Sequence, residues 1–141
     1  MTLGCMFIAF GTQLAAETWD CKIKQNNSTG FMPNTVIFET TQNSADVKVL
    51  DGITYSILGR AVRANVSRND SKRIEMKWRS GKTADGGSND VEVAYNATFL
   101  RKKKLLVLGA NLVGWDNTRQ SSRGKCQLST ATMKQVLNSL K

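Results

Sequence analysis

Apolar and polar side chains alternate along most of the chain with the period of a strand, not of a helix. Trp19, Cys21 and Ile23 interleave with Asp20, Lys22 and Lys24. Residues 35–41 are β-branched and aromatic, and 46–50 follow after a turn at Gln42, Asn43 and Ser44. The separation is cleanest in 73–79. There Ile74, Met76 and Trp78 share one face, and Arg73, Glu75, Lys77 and Arg79 share the other. Val91, Val93, Tyr95, Ala97 and Phe99 repeat the pattern. Residues 105–113 form a dense apolar run, and 124–128 a last short strand.

Turn residues punctuate these runs. Asn26, Asn27, Ser28, Thr29 and Gly30 predict a loop, Pro33 and Asn34 a break, and Arg68, Asn69, Asp70 and Ser71 a turn. Asp51 followed by Gly52 between apolar runs is a two-residue hairpin signal. In the next run, 53–66, Ile53, Tyr55 and Ile57 share a face, whereas Val62, Ala64 and Val66 have the other parity. Gly59 at the change of phase predicts a bulge or bend within a strand. Over 129–140, Ser129 is a candidate cap, and Met133, Val136, Leu137 and Leu140 sit at helical spacing. The pattern as a whole predicts an all-β fold. It is a small antiparallel barrel or sandwich of about eight strands with a short C-terminal helix. An eight-stranded barrel is either filled by side chains or holds one small ligand. A bilayer barrel is disfavoured, because the face opposite Ile74, Met76 and Trp78 is charged.

Residues 1–16 carry no charged side chain. An apolar stretch over 3–10 is followed by Ala15 and Ala16 ahead of Glu17, the outline of a secretory signal peptide. The stretch is too short for a membrane span of about 20 residues. It lacks a basic n-region, and Leu14 stands where a small residue is usual before a cut. Removing 1–16 from 141 residues leaves 125, a single β-domain over 17–141 that retains Cys21 and Cys126. An even cysteine pair in an exported domain reads as a disulfide, and the location expected is periplasmic or secreted.

Charge narrows the function. Twenty Lys and Arg stand against eleven Asp and Glu, giving +9, and there is no histidine. That removes histidine-based triads, His-ligated zinc and histidine pH switches. No catalytic set, metal site or cofactor is expected. The loop 82–90 is rich in oxygen ligands, but its spacing fits no known calcium loop. Ser122 and Lys125 match an S-x-x-K string outside the context that its chemistry needs. N-x-[ST] strings occur at Asn26, Asn27, Asn65, Asn69 and Asn96 and matter only in a eukaryotic source.

The basic residues fall into two sequence clusters. One is Arg101, Lys102, Lys103 and Lys104; the other is Arg68, Lys72, Arg73, Lys77 and Arg79. Together they are candidates for binding an anionic envelope component or a protein partner. Nucleic acid is disfavoured, because the aromatics alternate away from the charges. Trp19, Phe38, Tyr55, Trp78, Tyr95 and Phe99 either line a ligand cavity or fill a core. The leading expectation is therefore a non-enzymatic exported binding protein. A lipocalin-like carrier of a small apolar ligand, and a small hydrolase or hydrolase inhibitor, are the alternatives.

Five short motifs carry a resemblance. They are Glu17, Thr18, Trp19, Asp20 and Cys21; Asp51, Gly52 and Ile53; the Trp78 strand; Gly114, Trp115, Asp116 and Asn117; and Gly124, Lys125 and Cys126. In this arrangement the chain resembles small exported proteins of alphaproteobacteria. The resemblance implies a periplasmic or secreted, disulfide-tied β-domain and brings no activity or site with it.

Overall fold

The computed structural model describes residues 15–25, 30–41, 44–82 and 91–141. Most of the segment read as a signal peptide, the loop at 26–29, part of the turn at 42–44 and the oxygen-rich stretch at 83–90 lie outside the described residues.

Eight strands form one closed, antiparallel, up-and-down barrel. They are β1 (Glu17–Ile23), β2 (Thr35–Thr40), β3 (Val47–Asp51), β4 (Val62–Asn69), β5 (Arg73–Lys82), β6 (Glu92–Leu100), β7 (Leu105–Leu112) and β8 (Gln120–Leu128). Each strand pairs with its sequence neighbours, and β1 pairs with β8 to close the ring. Two helices are added, α1 (Gly52–Leu58) and α2 (Met133–Ser139). Alternation along the strands sends apolar side chains inward and charges outward, save the buried Asp51 at the end of β3, the reverse of a bilayer barrel. Among the described residues, no helix is long and apolar enough to cross a membrane.

The interior is packed by its own side chains. Trp19 meets Phe99 at 4.8 Å between ring centroids, and Phe38 meets Phe99 at 5.0 Å. Trp78 stacks on Tyr95 at 5.1 Å. Ile74, Met76, Leu106, Leu108, Val36, Val47 and Val49 fill the space between them. Five of the six aromatics read as cavity or core are therefore core. Tyr55 is the exception. It lies half-buried on α1, and its hydroxyl donates to the Leu140 carbonyl at 3.4 Å. The depressions open outward; Trp78, Tyr95 and Ala110 contribute to the lining of two of them, and all three are buried core residues.

Cys21 and Cys126 face each other across the β1–β8 seam and are joined as a disulfide, 105 residues apart in sequence. Gly124 stands beside them in β8, where β1 passes so close that any Cβ would strike the Lys22 carbonyl. The close approach of the two strands explains the glycine.

The stretch 52–58 corrects the sequence reading. It is a helix, not a strand entered by a hairpin. Asp51 is its N-cap: Oδ1 accepts from the Ile53 and Thr54 amides at 3.0 and 2.9 Å. Gly59 is not a bulge but the left-handed C-cap, with φ 66°, and its N–H reaches the Tyr55 carbonyl. The bulge lies further on, between Val66 and Arg68. Helix α1 leans on β3 and β5, with Ile53 against the core and Leu58 over Gly81. At the C-terminus, Thr132 caps α2 instead of Ser129, through a capping box with Gln135.

Candidate functional site

The structure divides the predicted basic residues by what each one touches. Arg101 is a tie, not a surface cation. Its side chain is only 15% exposed, and Nη1 lies 3.6 Å from the Glu17 carboxylate. Its Nε donates to the Asp70 carbonyl and its Nη2 to Asn69 Oδ1, both at 2.7 Å. Asn69 in turn donates to Thr40 Oγ1 and to the Thr41 and Ser44 carbonyls. This network knits the β2–β3, β4–β5 and β6–β7 turns together at one end of the barrel. Arg101→Met, which keeps the apolar stem, is expected to cost about 2 kcal/mol in urea unfolding by leaving half-buried acceptors unpaired. It should leave binding to anionic vesicles unchanged.

Arg68 pairs with Asp70, and Arg73 with Glu75 at 2.9 Å. The Asp70 carboxyl sits well below the usual carboxylate range. The Arg73 amide contributes most to that shift, then the Arg68 side chain, then the Lys72 amide. Lys72, Lys102, Lys103 and Lys104 are exposed on the two adjoining turns, which the Arg101 N–H to Lys72 carbonyl bond holds together.

Lys77 and Arg79 belong to a different surface, the outer face of β4 to β7. Strand register assembles it. Asn65 on β4 lies opposite Lys77 on β5, Lys77 opposite Asn96 on β6, and Asn96 opposite Gly109 on β7. In the adjacent row Arg79 lies opposite Ala94, and Ala94 opposite Asn111. Small residues thus form a floor, and long polar ones form the walls. The result is two adjoining depressions of about 520 and 430 Å³ that share Asn96 and Asn111. Arg63 edges the first, and Trp115 and Arg119 edge the second. Carboxylates approach this face too: Glu92 lies 3.6 Å from Arg79, Asp46 lies 3.2 Å from Arg63, and Asp116 lines the second depression.

Trp115 is 59% exposed, the most exposed large apolar side chain described. A braced turn presents it. The Thr118 hydroxyl accepts from the Leu112 amide at 3.0 Å and donates to the Trp115 carbonyl at 3.4 Å. Gly114 and Asn117 take the positive φ values that this turn requires, 81° and 59°. Sequence reasoning singled out Lys77 and Arg79, and Arg63 as one more positive charge near the middle hairpin, but gave Asn111 and Arg119 no role. Asn65 and Asn96 appeared only as N-x-[ST] strings, and Trp115 only within a motif. The signal that unites them is outward parity on neighbouring strands, which needs the register.

A more apolar groove of about 770 Å³ lies between Tyr55 and Ala61 on one side and Met133 and Leu137 on the other. Lys48, Arg60, Lys134 and Lys141 edge it. Glu39 within it accepts from Thr18 Oγ1 and from the Met133 amide. Among the described residues, no group of three or more His, Cys, Asp or Glu side chains could hold a metal ion. Comparison with protein-family models, with curated proteins and with solved structures finds no match.

Proposed function

We propose that this protein is an exported binding protein, not an enzyme, and that it engages an anionic component of the cell envelope. The observation that carries this reading is the outer face of β4 to β7. Arg63, Lys77 and Arg79 converge there over Ala94, with Asp46 beside Arg63 and Glu92 beside Arg79 as counter-charges. The disulfide supports an oxidising compartment. The packed interior favours an outer face over a carrier lumen. Each Lys or Arg near an anionic surface contributes about 1 kcal/mol.

The double variant Lys77→Glu and Arg79→Glu should therefore weaken low-salt binding to phosphatidylglycerol vesicles and to polygalacturonate at least about 30-fold. Wild-type binding should fall steeply as salt rises. A charge-matched control, Lys103→Glu with Lys134→Glu, should retain most of the affinity. Equal loss in both double variants, or no wild-type binding to either polyanion, would overturn the proposal.

A further inference from the structure

Resting on that reading of the basic face, we infer that its partner is an acidic polysaccharide. One sugar ring stacks on Trp115, and the chain lies along the row of asparagines. Three independent features point this way. First, the side-chain amides of Asn65, Asn96 and Asn111 are exposed, and none has a hydrogen-bond partner among the described residues. An amide both donates and accepts, which suits hydroxyl groups that do the same. Second, Trp115 offers a free indole at the end of the same trough, braced from behind by Thr118. An exposed aromatic face is a platform for the C–H face of a sugar or for a base. Third, the site is open and elongated. Two shallow depressions joined at Asn96 and Asn111 suit a chain lying across strands better than a compact molecule.

The cations complete the chemistry. Arg63 and Arg79 at one end pair with Asp46 and Glu92 yet stay largely exposed, and with Arg119 at the other end they present guanidinium groups suited to carboxylate or sulfate. A single-stranded nucleic acid would use the charges equally well. It needs several exposed stacking platforms along its track; of the aromatics lining this trough, Trp78 and Tyr95 are buried and only Trp115 is exposed.

The floor provides a clean probe. A Cβ on Gly109 would meet only the Asn96 and Gln120 carbonyl oxygens, at 3.6 and 3.8 Å, which is ordinary contact. Gly109→Val should therefore fold normally while raising the floor of the trough.

The test titrates the full chain with hexagalacturonate, a dextran sulfate oligomer, neutral maltohexaose and a thymidine decamer. Binding is followed by tryptophan fluorescence and calorimetry, and folding by circular dichroism. At least one of the two acidic oligosaccharides should bind and shield Trp115 from iodide quenching, and maltohexaose should not bind. Trp115→Ala should weaken that binding roughly tenfold, and Asn96→Ala with Asn111→Ala to a similar degree, given typical aromatic and hydrogen-bond contributions. Gly109→Val should weaken it as well. Neither Trp115→Ala nor the asparagine pair should alter binding to phosphatidylglycerol vesicles.

If Lys77→Glu with Arg79→Glu abolishes oligosaccharide binding while Trp115→Ala and the asparagine pair leave it intact, the polysaccharide inference fails and the basic face survives. If the charge reversals have no effect, both fail. Binding of neither acidic oligosaccharide, or Trp115-dependent binding of the decamer at equal or higher affinity, would also overturn the inference.

Discussion

Breaking the Cys21–Cys126 bond is expected to lower the free energy of unfolding by about 4.7 kcal/mol, the chain-entropy value for a loop near 100 residues. The enclosed separation is 105 residues, so almost the whole domain is tied into one loop. The place of the bond matters as much as its span. It links directly opposed residues in the pairing that closes the barrel, a ladder running from Trp19–Leu128 to Ile23–Gly124. Both sulfurs are buried among core side chains, so reduction leaves the packing in place and removes the cross-link. Urea unfolding with and without reductant measures this difference. A Cys21→Ala, Cys126→Ala variant should match the reduced protein, with a further small loss for the missing sulfurs. Amide exchange should rise first along β1 and β8. A difference below about 1 kcal/mol between oxidised and reduced protein would show that the seam holds without the bond.

Asp51→Ala is expected to cost about 4 kcal/mol, combining a lost helix cap with buried donors left unpaired. The carboxylate is 1% exposed and accepts four hydrogen bonds. Oδ1 takes the Ile53 and Thr54 amides. Oδ2 takes the Thr54 hydroxyl at 2.6 Å and the Trp78 indole N–H at 2.9 Å. One residue thus starts α1 and fastens it to β5. Trp78 stacks on Tyr95, so the effect should spread into the core. Burial foremost, and then the Asp51 charge, raise the Tyr95 hydroxyl above its ordinary pKa. It therefore stays protonated and donates to the Phe31 carbonyl at 2.9 Å. Asp51→Asn keeps one acceptor for the cap but turns an N–H₂ towards other donors, and should cost about 2 kcal/mol. Urea unfolding gives the magnitudes, and near-ultraviolet circular dichroism reports on Trp78. A loss under about 1 kcal/mol for Asp51→Ala would mean that α1 is held by its apolar contacts alone.

Much of the barrel was legible in the chain. In 73–79 and 91–99, strict alternation separates an inside from an outside whatever the partner strands are, because successive strand side chains point to opposite faces. Trp19, Phe38, Trp78, Tyr95 and Phe99 follow from that parity, as does the charged exterior. The stretch after Asp51 was not legible. Ile53, Tyr55 and Ile57 mimic strand alternation, and a seven-residue helix is too short to show its own period. What decides the matter is the Trp78 indole, 27 residues away, which completes the carboxylate's hydrogen bonds. Arg101 failed in the same manner. Beside three lysines it reads as one more surface charge, and only the folded turns bring Asn69, Asp70 and Glu17 around it.

By itself, then, the amino-acid order determined the strands, their inner and outer faces, the cysteine pair and the excess of positive charge. Each of these depends on a residue's type and parity, which are local. The tertiary structure decided which outward residues became neighbours. Asn65, Lys77, Asn96 and Gly109 lie in one row because antiparallel register aligns β4, β5, β6 and β7. Register is set by hydrogen bonding between strands and by packing of the faces they bury, so no single stretch contains it. The +9 of the whole chain became a particular trough only when those four strands closed side by side.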